Sequence, residues 1–177
     1  CKAIKLHTSN ACGEIIIWTH ATDSVEKESF MADKWITYEY NGWKVELSLT
    51  LLSEMRTDRE KALPNETGGV LIGAYDIARK RIYVVCQVRA PEDSISSPTS
   101  FIRGCANLPE RLKYIHETTL DNLTYIGEWH SHPSANTQRS TDDIKLHKAI
   151  VDYNRENCLP GCMMILGTDN FSIFIDE

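Results

Sequence analysis

Two histidines and one carboxylate in this sequence have the types and spacing of a metal-binding set. His130 and His132 are separated by one residue, and Asp143 follows eleven residues after His132. Side chains alternate along a strand, so both imidazoles leave the same face if a strand runs into them. Two histidines and one carboxylate leave a fourth tetrahedral position for water, as in catalytic zinc sites. Zinc on such a set lowers the pKa of that water to about 7, so these residues predict a hydrolytic zinc centre.

Each part of this set also has an ordinary structural explanation. A His-x-His pair is often a solvated loop feature, and Ser140 with Asp143 has the spacing of a capping box at a helix start. Asp142 is the rival third ligand. We favour Asp143 because it shares a helical face with Ser140 and because the helix dipole favours a carboxylate in the first turn. The joint occurrence of both patterns favours a metal site over two unrelated structural features.

A hydrolase of this kind also needs a group that moves protons. Glu66 stands beside Gly68 and Gly69, where backbone can approach closely, so its carboxylate is a candidate general acid/base. From the residues alone, a solvated glutamate after a helix is the better explanation of Glu66. Glu128 is the second candidate, because strand alternation is expected to direct it away from the face of His130 unless the strand is bulged.

The hydrophobic pattern predicts the elements that carry these residues. A strand over Leu123–Trp129 leads directly into the two histidines, and a helix over Thr141–Asn157 begins beside Asp143. A buried strand is expected over Glu66–Tyr75. The other predicted elements are a helix of about three turns capped by Ser48 and ended by Pro64-Asn65, a strand over Arg81–Val88, a helix over Leu108–Thr119, and a closing hairpin of Met163–Leu166 and Phe171–Ile175. This order predicts a mixed α/β fold.

The N-terminal part of the chain carries no pattern to which a chemistry can be assigned. It contains three short β-like runs, Ala3–Leu6, Glu14–Thr19 and Trp35–Tyr40. Asn41-Gly42 is a frequent tight-turn pair and predicts a hairpin from the last run to Trp43–Leu47. We therefore expect residues 1–42 to be an N-terminal extension, the tail of a preceding domain or an added edge, and residues 43–177 to form the main domain.

Composition limits the class of protein. The chain has 177 residues, of which 42% are hydrophobic, enough for one sizeable domain with its own core. Its net charge of −6 without a basic stripe argues against nucleic acid as the main partner. No apolar run approaches the roughly 20 residues that a membrane-spanning helix needs, so we expect no membrane association.

The six cysteines form no dense regular framework, and a signal peptide is absent, so we expect a reducing cytoplasm. Cys158 and Cys162 with His147 nearby suggest a second zinc site, but two buried thiols are the favoured explanation. The chain begins at Cys1 instead of methionine, which favours a piece of a longer polypeptide or a processed product.

Taken together, the motifs resemble the JAMM (JAB/MPN) metalloprotease family. The family signature is a distant Glu, then His-x-His, ten residues and Asp, with Ser three positions before the Asp. All of it is present between Trp43 and Glu177, in Glu66-Thr67-Gly68-Gly69, Gly127-Glu128-Trp129-His130-Ser131-His132-Pro133 and Ser140-x-x-Asp143. The resemblance implies a cytidine-deaminase-like α/β fold, in which helices sandwich a mixed sheet. It also implies zinc on His130, His132 and Asp143, Glu66 as general acid/base, and Ser140 stabilising the oxyanion.

The same resemblance implies cleavage of peptide or isopeptide bonds after the C-terminal glycine of ubiquitin or a ubiquitin-like protein. The domain also resembles bacterial forms that follow a ubiquitin-activating-like domain in one polypeptide, which makes ubiquitin-activating-like and conjugating-like proteins further expected partners. The Pro- and Ser-rich segment Ala90–Arg103 is predicted to be an exposed loop. It falls where the family places an insertion that covers the substrate tail, so we expect it to wall the groove. The segment after Asp143 is short, so a second insertion that selects a polyubiquitin linkage is not expected.

Three other functions compete with this one. A catalytically inactive MPN scaffold is disfavoured because all five signature residues are present. A RadC-like JAB protein of DNA metabolism is suggested by His132-Pro133-Ser134, but the low positive charge argues against a DNA-binding surface. A hydrolase that processes a sulfur-carrier protein would use the same chemistry and is the nearest enzymatic alternative.

Overall fold

The structure, a computed structural model, describes residues 34–177. Its helices are α1 (Leu49–Ala62), α2 (Leu108–Thr118) and α3 (Thr141–Arg155). Its strands are β1 (Trp35–Tyr40), β2 (Trp43–Ser48), β3 (Gly68–Asp76), β4 (Arg81–Arg89), β5 (Ile95–Ser97), β6 (Ser100–Ile102), β7 (Thr124–Ser131), β8 (Gly161–Leu166) and β9 (Phe171–Asp176). The helices and strands predicted after residue 43 all form, and their positions in the chain are confirmed.

Seven strands form one mixed sheet in the order β1-β2-β4-β3-β7-β8-β9. The pairs β2 with β4 and β7 with β8 are parallel, and the other neighbours are antiparallel. Helix α1 packs on one face of this sheet, and α2 and α3 pack on the other. The predicted mixed sheet between helices is therefore confirmed. Within residues 34–177, no helix is both long and apolar enough to cross a bilayer.

Each face of the sheet has its own buried core. On the α1 face, Leu51, Leu52 and Met55 pack against apolar side chains of β2, β3, β4, β7, β8 and β9. On the opposite face, Ile115 of α2 packs with the β3–β4 pair, and Ile150 of α3 packs on β8. Burial of each large aliphatic side chain contributes about 1.5–3 kcal/mol. These contacts fix α3, whose first turn carries Asp143, over the same sheet face as α2.

Helix α1 begins and ends where the sequence predicted. The Ser48 hydroxyl accepts a hydrogen bond from the Leu51 N–H at 3.2 Å and so caps the first turn. The helix ends at Ala62, just before Pro64. Its 14 residues make about four turns, one more than predicted.

The predicted N-terminal hairpin also forms. Tyr40 pairs with Trp43 across Asn41-Gly42, and both turn residues have positive φ, at 49° and 77°. The β1 side chain Tyr38 also lies 5.8 Å, between ring centroids, from Phe171 of the other edge strand, β9. β1 thus adds an edge to the sheet, while the domain boundary at residue 42 stays a prediction. The predicted runs Ala3–Leu6 and Glu14–Thr19 lie outside the described residues.

The segment 90–103 is mostly exposed, as predicted, but it contains a small hairpin that the sequence did not predict. Its strands β5 and β6 pair from Ile95–Ile102 to Ser97–Ser100. The carboxylate of Asp93 accepts hydrogen bonds from the N–H groups of Cys105 and Ala106, at 3.0 and 2.9 Å. These hydrogen bonds link the two ends of the segment, before β5 and after β6, and so fix the position of the hairpin on the domain.

Strand β7 contains a bulge just before the histidines. Gly127 pairs with Leu71 and Tyr125 pairs with Ile72, so Ile126 is the extra residue. An extra residue shifts the alternation of all the side chains that follow it. Ile126 and Trp129, three residues apart, therefore both face α1. His130 consequently points to the opposite face, where α3 lies.

We predict that Gly127→Ala destabilises the fold more than Gly42→Ala does. A Cβ at residue 127 would lie 1.7 Å from the Cys162 carbonyl oxygen, so the backbone must move, at a cost of about 3 kcal/mol. At residue 42 the space is open and only the φ of 77° is unfavourable, at about 1 kcal/mol. Urea unfolding of the two variants measures the difference, and equal losses would contradict the close packing of β7 on β8.

His147 of α3 is buried and does not join the cysteines in a second metal site. Its Nε2–H donates to the Gly161 carbonyl at 3.2 Å, and its Nδ1 lies 2.8 Å from a nitrogen of Arg139. The prediction of two buried thiols is correct for Cys162 and wrong for Cys158, which is exposed. The one metal-binding group found among residues 34–177 does not include these side chains. Burial lowers the pKa of His147, which favours a neutral ring.

The neutral state of His147 predicts a loss of stability in acid. An unfolded histidine takes up a proton near pH 6.5, whereas the folded ring resists protonation until its lowered pKa is reached. The stabilisation is thus fully present above pH 6.5 and is lost as pH falls toward the folded pKa. His147→Gln keeps an N–H for Gly161 but cannot titrate. Between pH 7 and 5 its free energy of unfolding should fall less than that of wild type, and parallel curves would exclude this role.

Candidate metal centre

The two histidines converge at the end of β7. His130 is the next-to-last residue of the strand, and His132 follows it with its N–H bonded to the Leu166 carbonyl of β8 at 2.9 Å. Their Nε2 atoms lie 3.3 Å apart. The prediction that both rings leave the same face is confirmed. His130 is buried, whereas His132 is partly exposed, so the pair closes one end of a site that opens to solvent.

Asp143 meets this pair from the first turn of α3. One carboxylate oxygen lies 3.1 Å from His130 Nε2 and the other lies 3.8 Å from His132 Nε2. Burial raises the pKa of Asp143, but the hydrogen bond and charge of His130 and bonds from Ser140 outweigh it and hold the pKa well below its usual range. Asp142 points elsewhere, because its exposed carboxylate pairs with Lys145 at 2.8 Å. The structure thus places Asp143, and not Asp142, beside the two histidines.

The geometry of these three side chains fits a tetrahedral zinc ion. With bonds of about 2.0–2.1 Å, neighbouring ligand atoms of such an ion lie about 3.3 Å apart. The two imidazole nitrogens lie 3.3 Å apart, and the nearest Asp143 oxygen to each of them lies at 3.1 and 3.8 Å, on different oxygens. With one ligand atom from each residue, the three atoms are all within 4.8 Å of one another. Two imidazoles and one carboxylate are also the donor types that zinc prefers at catalytic sites.

The tautomer of His132 suits this role. Its Nδ1 lies 2.7 Å from the Asn136 carbonyl oxygen, which can only accept, so Nδ1 carries the proton. The lone pair of Nε2 is then free and points towards His130 and Asp143. A hydrogen bond of this kind, from the outer ring nitrogen to a carbonyl, is the usual support of a metal-binding histidine. The part played by Asn136 was not predicted, since a backbone acceptor leaves no signal in residue type.

Ser140 caps α3 and contacts Asp143 in both directions. The Ser140 hydroxyl accepts from the Asp143 N–H at 3.2 Å, and the Asp143 carboxylate accepts from the Ser140 N–H at 2.7 Å. The capping-box explanation is therefore correct. The Ser140 hydroxyl acts as an acceptor in this box, and the residue is exposed next to the first turn that carries Asp143. Capping and a role in the site are thus compatible.

Glu66 lies just before β3, alongside the end of β7. Its own N–H donates to the Ser97 carbonyl of β5 at 2.8 Å. The next residue, Thr67, is tied to Ser131 by two hydrogen bonds, of 2.7 and 3.0 Å, and Ser131 stands between the two histidines. Ser131 was not predicted as a site residue, and it is fully buried on the other face of the strand.

The side chain of Glu66 is buried, in contrast to the solvated glutamate that the residues alone favoured. Burial raises the pKa of Glu66, while the charges of His130 and His132 oppose the rise and that of Asp143 adds to it. The pKa of Glu66 therefore depends on the charges of all three candidate ligands. A carboxyl group with a raised pKa takes up a proton more readily than an ordinary glutamate, which suits a group that accepts and releases protons.

Glu128 is not available for this role, and the reason given for ranking it second was wrong. It lies two residues from His130 and therefore on the same face of β7, since the bulge precedes both residues. Its carboxylate is instead paired with Arg103 at 2.8 Å and lies 3.4 Å from the Tyr125 hydroxyl. Glu128 thus ties the segment of the β5–β6 hairpin to the strand that carries the histidines.

Comparison with known proteins identifies the family to which this chain belongs. Residues 48–175 match the family described as prokaryotic homologs of the JAB domain. A relative from Enterobacter hormaechei subsp. hoffmannii (strain UCI 50), named CD-NTase/cGAS isopeptidase, is 32% identical over 148 residues. The alignment covers 82% of this chain and 81% of that relative, so the two are similar over most of their lengths.

Two solved structures are also similar to this chain. The solution structure of a protein from Desulfitobacterium hafniense has a TM-score of 0.48 and 21% identity, covering 73% of this chain and 80% of that one. The crystal structure of a JAB1/MPN domain protein from Archaeoglobus fulgidus has a TM-score of 0.42 and 17% identity, covering 70% and 82%. The conclusion rests on the family match and on the relative with 32% identity: this chain belongs to the prokaryotic JAB domain family and has the JAB/MPN fold.

Proposed function

We propose that this protein is a zinc-dependent isopeptidase or peptidase that cleaves after the C-terminal glycine of a ubiquitin-like protein. The JAB family match and the relative named an isopeptidase support a hydrolase. The observation that carries the proposal is the convergence of His130, His132 and Asp143 beside the buried carboxylate of Glu66. Zinc held by the three ligands would supply Lewis-acid activation of the scissile carbonyl and of a water molecule.

The protein side chains would move the protons and stabilise charge. Glu66, with its raised pKa, takes the proton of the attacking water and passes it to the leaving amine. The Ser140 hydroxyl would donate a hydrogen bond to the oxyanion that forms at the carbonyl oxygen. The peptide bond breaks as the amine leaves, and the new carboxylate carries the oxygen of the water. Both residues are fixed by backbone hydrogen bonds, at Ser97 and Asp143, so little reorganisation is needed.

The β5–β6 hairpin supports the choice of a glycine-ended tail as substrate. It stands directly beside Glu66, since the Ser97 carbonyl accepts the Glu66 N–H. On its inner side the ring of Phe101 covers Gly68, where a Cβ would lie 2.6 Å from the ring. We propose that this hairpin walls a narrow groove that leads to the metal centre. A groove without room for side chains admits glycine and recognises the tail through its backbone.

The name of the relative suggests a first candidate for the conjugated protein. That relative is called an isopeptidase of CD-NTase/cGAS. We therefore propose a CD-NTase/cGAS-like enzyme, linked to a ubiquitin-like protein, as the first conjugate to assay. Ubiquitin-activating-like and conjugating-like proteins remain proposed partners, since they would form the bond that this protein cuts.

Two substitutions should separate metal binding from proton transfer. His132→Ala removes one ligand, so we expect loss of both bound zinc and cleavage. Glu66→Gln keeps the shape of the side chain but cannot accept a proton, so zinc should stay while turnover falls about 10²–10⁴-fold. Zinc content by elemental analysis and cleavage of a ubiquitin-like fusion measure both effects.

His116→Ala is the matched control, because His116 lies on α2 and pairs with Asp121, away from the histidine pair. It should keep wild-type zinc content and turnover. Full turnover in Glu66→Gln would refute the acid/base assignment. A wild-type protein that holds no zinc and cuts no fusion would favour the inactive scaffold instead.

The hairpin proposal predicts a different kinetic effect. Phe101→Ala removes the ring that packs on Gly68, so the groove wall should loosen and KM for a ubiquitin-like fusion should rise about tenfold while zinc content stays unchanged. Tyr114→Ala, at a half-exposed aromatic of α2, is the control. An unchanged KM in Phe101→Ala would show that the hairpin does not contact the substrate tail.

A further inference from the structure

Arg59 of α1 is a buried cation that donates hydrogen bonds to the backbone at and after His132, one of the candidate metal ligands. Only 6% of its surface is exposed. Its Nε donates to the His132 carbonyl at 3.0 Å, and one terminal nitrogen donates to the Pro133 carbonyl at 2.7 Å and to the Thr168 hydroxyl at 3.0 Å. All three acceptors are neutral oxygens. This buried charge therefore serves to hold backbone rather than to neutralise a carboxylate.

The sequence contains a weak signal for this arrangement. Arg59 follows the buried Met55 by four residues, so it continues the buried face of α1 although it lies in a charged run. Long cationic side chains usually reach water from such positions. Here the guanidinium instead turns towards the turn that follows β7, because its fork of donors matches two successive carbonyls.

The turn that contains His132 also makes backbone hydrogen bonds to β8 and to the segment that follows it. The His132 N–H is bonded to Leu166, and the Ser134 carbonyl accepts from the Thr168 N–H at 3.2 Å. Between these two points, Arg59 binds the carbonyls of His132 and Pro133. The ring of His132 in turn donates to Asn136 within the same turn. Movement of this turn would therefore rotate the ring and withdraw Nε2 from the other candidate ligands.

We propose that Arg59 is a positioning residue for the metal centre, which holds the turn after β7 so that His132 Nε2 faces His130 and Asp143. The inference rests on the proposed zinc site. Charge-assisted hydrogen bonds are the strong ones among those that hold the turn. Partners that orient a metal ligand typically change metal affinity by about 10–100-fold when they are removed.

The test compares Arg59→Gln with Arg56→Gln, an exposed arginine three residues earlier on the same helix. The first readout is zinc affinity by competition with a chelator. The second is the nitrogen NMR signals of the His132 ring in the metal-free protein, which report the protonated Nδ1. We expect Arg59→Gln to bind zinc about 10–100-fold more weakly and to give averaged tautomers at His132. Arg56→Gln should match wild type in both readouts.

Two milder variants keep the test decisive if Arg59→Gln does not fold. Arg59→Lys keeps the charge without the fork and should lose less zinc affinity, whereas Thr168→Val removes one acceptor and should lose least. A folded Arg59→Gln with wild-type ring signals and zinc affinity would overturn the inference and leave Arg59 a stabilising residue only. If wild type binds no zinc, the proposed function fails, and the ring signals alone decide the role of Arg59.

Discussion

The candidate metal centre depends on one extra residue in β7. Without the bulge at Ile126, regular alternation would place His130 on the same face as Ile126, in the apolar core beneath α1. The extra residue turns the end of the strand so that His130 faces α3, which carries Asp143 in its first turn. Gly127 makes this possible, because the Cys162 carbonyl occupies the place of a Cβ. A constraint on backbone packing thus decides which side chains can meet.

The second constraint is the start of α3, where one carboxylate serves two purposes. Asp143 accepts the Ser140 N–H with one oxygen and approaches His130 with the other. The capping box and the candidate metal site are therefore one arrangement. The box fixes the rotamer of Asp143 before any metal binds, and the positive end of the helix favours its charged form. A pre-ordered, ionised carboxylate is what a zinc ligand requires.

The sequence predicted what depends on local pattern and missed what depends on distant contacts. Periodicity predicted the strand before His130 and the helix after it, and spacing singled out Asp143 over Asp142. The bulge was not predicted, because it follows from how β7 pairs with β3 and packs on β8. The inward turn of Arg59 and the pairing of Glu128 with Arg103 depend on residues that are remote in the chain. The assignment of roles at the site needed the family resemblance as well as the spacing.

The β5–β6 hairpin and the candidate site form one hydrogen-bonded unit. The hairpin holds the backbone of Glu66 through Ser97, next to its turn, and its base is bound to Glu128 on β7 through Arg103. Each contact thus joins the proposed groove wall to a strand end that carries a site residue. Burial of the carboxylate, which raises the pKa of Glu66, depends on the same close packing. A substrate tail that binds along the hairpin would therefore also affect Glu66, the residue proposed to move the proton. The reason is that Ser97 of the hairpin holds the Glu66 backbone.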